Sequence, residues 1–86
     1  MSNNVSIPRP PDVVTILWER NPLNQRAPRT IVEATVIGSA APCNRFLGSG
    51  ESLARAENCL LDNGFKRISE DRLGVFGVSV FVWEDC

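Results

Sequence analysis

The chain has one segment of helical character, SGESLARAENCLLDNGF, and nothing else in its 86 residues competes for that role. Ser49 can cap its start, and Glu51 falls in the first turn, where the helix dipole favours a carboxylate. Gly64 supplies the left-handed residue that commonly ends a helix, with Phe65 making the accompanying contact. At a period of 3.6, Leu53, Ala56, Leu60 and Leu61 share one side, with Ala54 at its edge. Arg55, Asn58 and Asp62 point away. Glu57 falls near the middle of the apolar side, where a carboxylate needs a partner. Arg67 from a neighbouring strand is a candidate, and a solvated margin is the alternative.

The runs that flank this helix are β-forming. They are VVTILW (residues 13–18), TIVEATVI (30–37), FKRIS (65–69) and VFGVSVFVWED (75–85). Alternation and β-branching support each as a strand. EDRLG (70–74) reads as the turn between the last two, and GSAAPCNRFLGSG (38–50) as a loop. In that loop, Phe46 and Leu47 are placed to pack under the helix start. The order is β-β-α-β-β. The expected fold class is α+β, a single small domain over residues 13–86, with one helix packed on a mostly antiparallel four-stranded sheet. Residues 1–12, with prolines at 8, 10 and 11, read as an extended or flexible N-terminal arm.

One helix covers one sheet face, so the other face must be closed by something else or left to bind. In the last strand Val78, Val80 and Val82 alternate with Ser79, Phe81 and Trp83. If the valines meet the helix, Phe81 and Trp83 project from the open face, with Trp18 or Leu17 of the first strand beside them. An exposed aromatic patch of that kind marks a binding surface. The alternative is that the arm or the long loops fold over it.

The second candidate surface is ERNPLNQRAPRT, residues 19–30. A hairpin loop usually takes two to five residues. This one is longer and carries Arg20, Arg26 and Arg29, with Pro22 and Pro28 to stiffen it. Arg26 and Arg29 are expected at its tip. The arginines do not reflect a basic chain, since net charge is −1. Residues 1–50 hold five arginines against three acids, a balance of +2. Residues 51–86 hold four basic and seven acidic residues, a balance of −3. Within that acidic half, Glu70, Asp71, Glu84 and Asp85 form a candidate acidic contact that mimics nucleic acid towards a basic partner.

Catalysis is not expected. The chain has no histidine, no tyrosine and one lysine. Cys43, near Arg45, is the only nucleophile candidate, and no base accompanies it. Cys43, Cys59 and Cys86 match no metal-ligand spacing, and an odd count without a signal peptide argues for free thiols in a reducing, cytoplasmic setting. No cofactor and no metal are implied. No apolar run approaches the roughly 20 residues of a membrane span.

Three readings of function follow. The first is a non-catalytic small binding protein acting by protein–protein contact. In size and composition alone the chain resembles phage-encoded inhibitors, anti-CRISPR proteins among them; no motif carries that likeness. The resemblance implies steric blocking of a host protein or nucleoprotein complex. The second is a single-stranded nucleic-acid module using Arg20, Arg26 and Arg29 with Phe81 and Trp83. It lacks an RNP-type motif. The third is a homo-oligomeric assembly subunit joined through strand edges or the aromatic face.

Overall fold

A computed structural model describes residues 11–24 and 26–84. The strands are β1 (Asp12–Glu19), β2 (Thr30–Ile37), β3 (Lys66–Leu73) and β4 (Phe76–Trp83), with one helix, α1 (Leu53–Asp62), and a 3₁₀ turn at Asn44–Phe46. The strands form one antiparallel sheet in the order β2-β1-β4-β3, so the α+β, β-β-α-β-β expectation holds. The expected arm of residues 1–12 falls largely outside the described residues, as do Asp85 and Cys86.

β1 and β4 are central strands, which explains their unbroken apolar sequences. Val14, Ile16 and Trp18 of β1 lie on the covered face with Gly77, Ser79 and Phe81 of β4. Leu53, Ala56 and Leu60 of α1 complete this core with Ile31. Phe81 and Trp18 are therefore interior residues, not projecting aromatics, and the face assignment conditional on buried valines is reversed. Val78, Val80 and Val82 lie on the open face beside Val13, Thr15 and Leu17.

The reason lies in one cross-strand pair. Trp18 stands opposite Gly77, and a Cβ on Gly77 would lie 2.0 Å from Trp18 Cζ2. The indole lies over the bare glycine, an arrangement open only to a residue without a side chain. Its Nε1 then donates to Ser79 Oγ at 3.1 Å, so both buried polar atoms are paired. Tryptophan and phenylalanine are long enough to fill the layer beneath the helix, and the short valines take the other side.

β2 contains a bulge. Leu17 pairs with Glu33 and Trp18 with Ile31, which leaves Val32 as the extra residue. The bulge re-aims the strand, so Ile31 rather than Val32 joins Ala34 and Val36 on the covered face. The helix start differs too. Ser52, not Ser49, is the cap, its Oγ accepting from Arg55 N at 3.4 Å. Gly48 and Gly50 lie in a turn before it. Leu61 and Ala54 face outward, because a ten-residue helix over so narrow a sheet buries only three side chains. At the other end Gly64 has φ +93°, and Phe65 N donates to Leu60 O, as the sequence implied.

The expected turn at residues 70–74 is instead mostly strand. β3 runs to Leu73, and a two-residue turn at Gly74 and Val75 leads into β4. Gly74 has φ +66°, the sign that tight hairpin turns require at that position.

Cys43 and Cys59 form a disulfide, with Cα atoms 5.8 Å apart. This corrects the expectation of free thiols and removes Cys43 as a nucleophile. The loop after β2 folds back over α1, burying Ala40, Cys43 and Leu47, and brings together cysteines 16 residues apart. The inference of a reducing, cytoplasmic setting loses its ground with the thiols.

Candidate functional site

The end of the sheet where β1 runs into β2, and β3 into β4, gathers three exposed large apolar side chains. Leu23 is 93% exposed, Leu73 82% and Phe76 49%. Phe76 lines a cleft of about 740 Å³ there, together with Glu19, Arg20, Pro22, Ala27, Pro28 and Val75. A concave, mainly apolar site with a few charged groups is the usual form of a binding site.

The loop that forms one wall has a defined shape. Asn21 Oδ1 accepts a hydrogen bond from Leu23 N at 2.9 Å, and Asn24 Oδ1 accepts one from Arg26 N at 3.0 Å. These are two successive Asx turns, in which a short side chain holds its own backbone two residues on. Asn24 N to Asn21 O and Ala27 N to Asn24 O close the same turns. Both ends are fastened: Arg20 N donates to Val75 O at 2.8 Å, and Leu53 N to Arg29 O at 3.1 Å. Leu23 thus stands on a braced support with Arg26 beyond it.

Of the predicted partner-binding residues, Arg29 and Trp18 come together and the others lie apart. Arg20 lines the cleft and also a smaller groove of about 340 Å³ against Leu53, Ala54 and Glu57. Arg26 is exposed on the loop. Arg29 is not at the tip. Its guanidinium lies over the Trp18 ring, 4.6 Å from the centroid, and 3.8 Å from Glu70 Oε1. Trp83 packs against the core at the opposite end of β4, near Gly64. Trp18 and Phe81 lie in the interior, so the structure does not bring the arginine loop together with an aromatic sheet face.

The acidic set is likewise divided. Glu70 is the hub of an ion-pair network on the covered side, with Arg67 at 3.3 Å, Arg72 at 3.7 Å and Arg29 at 3.8 Å. Arg67 also meets Glu57 at 3.2 Å, the pairing the helix pattern raised. Arg72 shares the Trp18 ring from 5.9 Å. The cluster fastens β3 to the helix and to the root of the long loop. Asp71 stands opposite Val78 on the open face, and Glu84 lines a separate groove with Lys66, Ile68 and Val82. Asp85 lies outside the described residues.

Among the described residues, no group of three His, Cys, Asp or Glu side chains is placed to hold a metal ion. No described helix is long and apolar enough to cross a membrane. Leu23, Leu73 and Phe76 were not singled out from the sequence. The repeated asparagines in NPLN, each two residues before a backbone N–H it could accept, carried the signal of a braced loop.

Compared with protein-family models, curated proteins and solved structures, the chain matches none.

Proposed function

We propose that this is a non-catalytic binding protein that acts by protein–protein contact through the loop end of its sheet. The observation that carries this reading is Leu23. Leu23 is 93% exposed, so almost its whole apolar side chain is available for a partner to bury. Here two Asx turns hold it out, so little conformational freedom remains to be lost on binding. Phe76, which lines the cleft, and exposed Leu73 opposite it in the β3–β4 hairpin supply further apolar contact, and Arg20 and Arg26 supply charge. Aromatic and arginine side chains around a concavity are the usual anchors of an interface. The matching partner surface is apolar at its centre and acidic at its rim. Occupying such a surface without transforming it is how a small steric inhibitor works, whether its target is a host protein or a nucleoprotein complex.

Tagged protein incubated with extract of the source cell tests this. Wild type retains a defined partner, Leu23→Asp loses it, and Ile68→Asp on the open sheet face keeps it. Far-UV circular dichroism confirms that the variants fold, since both side chains are exposed. Retention by Leu23→Asp with loss by Ile68→Asp would overturn the assignment.

A further inference from the structure

Arg20 stands where two hollows meet. It lines the cleft of about 740 Å³ at the loop end and the groove of about 340 Å³ beside the start of α1. Ala27 and Pro28 also line both, so the cleft and the groove adjoin across these three residues. The position of Arg20 is fixed from the main chain, since its N donates to Val75 O at 2.8 Å.

The charges of the groove are matched, with one exception. Arg29 Nη1 lies 3.8 Å from Glu70 Oε1, and Glu57 Oε2 lies 3.2 Å from Arg67 Nη1. Arg20 is half-buried, and among the described residues it enters no ion pair. A guanidinium stays charged at any ordinary pH, so one partly withdrawn from water without a counter-charge favours an anion that reaches it. Its planar fork takes a carboxylate through two parallel hydrogen bonds. Glu19 enters no ion pair among the described residues either, but it lines the cleft and not the groove. Like-charge repulsion from Glu19 therefore sets the apolar part of a ligand on the cleft side, against Pro22, Val75 and Phe76, and its carboxylate on the groove side.

Resting on the loop-end reading above, we infer that the partner enters these hollows as a short linear segment carrying a carboxylate. A large apolar side chain fills the cleft, and the carboxylate sits on Arg20. An extended chain passes along both hollows, whereas a broad folded surface spans the wall between them. A nucleic-acid strand would meet Arg20 with one phosphate but bring others against Glu19 and Glu57.

Selection of short random peptides from a displayed library on the purified protein tests this, with titration of the best binder by fluorescence polarisation. Enriched peptides should share an Asp or Glu close to a large apolar residue. Replacing that acid with its amide should weaken binding to wild type about tenfold and leave the already weak binding to Arg20→Gln unchanged. Far-UV circular dichroism confirms that the variant folds. A single-stranded DNA oligonucleotide titrated alongside should not bind. No enrichment, enriched peptides without a shared acid, an amide effect as large in Arg20→Gln as in wild type, or tighter binding of the oligonucleotide would each overturn the inference. The Leu23 surface would survive those outcomes, because it is read by the whole partner in extract. Acidic peptides that bind Leu23→Asp as well as wild type would uphold the Arg20 contact and remove Leu23 as the anchor.

Discussion

The two faces of the sheet are made from strands of similar hydrophobicity, yet they differ in how their side chains are held. On the covered face Phe81 is wholly buried and Trp18 is locked by a bare glycine below it and a serine hydroxyl beside it. On the open face Val78, Val80 and Val82 are only partly buried, standing between Val13, Thr15 and Leu17 of β1 and Lys66, Ser69 and Asp71 of β3. Hydrophobic alternation therefore says that a strand has two sides; it does not say which is inside. Side-chain length and the position of one glycine decide that.

Substitution at adjacent β4 positions is the severest test of this contrast. Phe81→Ala should cost about 4 kcal/mol, since it leaves a cavity under the helix, whereas Val80→Ala should cost about 1 kcal/mol. Equal losses in urea titration would erase the distinction between the faces. Next in size is the disulfide that fastens the return loop over the covered side. Replacing both Cys43 and Cys59 with serine should cost about 3 kcal/mol, read as a lower urea midpoint.

Gly77→Ala sharpens the comparison further. Its new methyl group would overlap the indole of Trp18 and should cost about 2 kcal/mol. The tryptophan emission should shift as the ring leaves its seat. The same glycine-to-alanine change at Gly48, whose Cβ would meet only Glu51 Cγ at 3.6 Å, should not do this. The smallest effect is expected where the covered face meets solvent. A double-mutant cycle on Glu57→Gln and Arg67→Gln should give a coupling of about 0.5 kcal/mol, reduced by added salt, because half-exposed ion pairs are screened.

Much of the fold was legible in the sequence. β2 begins and ends where its alternation does, Gly64 stops the helix, and the order of elements gives the class. What remained hidden depended on contacts between distant segments. The Cys43–Cys59 bridge arises only once the loop folds back across the helix. The Val32 bulge follows from the demand that Ile31 reach the core after Trp18 has taken its place. Sorting Phe81 from Val80 required knowing that Trp18 would stand opposite Gly77. At the binding surface, the length and charge of residues 19–30 were plain. The turn back of Arg29 onto Trp18 was not, because a cation over a buried ring is set by tertiary register. The most exposed large apolar side chain of that surface, Leu23, is one that no periodicity argument would select.

Photo-crosslinking tests the binding assignment most directly. A photoreactive side chain replacing Leu23 is compared with the same group replacing Ile68, on the open sheet face, in extract of the source cell. The loop-end assignment predicts a discrete crosslinked partner from position 23 and none from position 68. A partner captured from position 68 alone would contradict it.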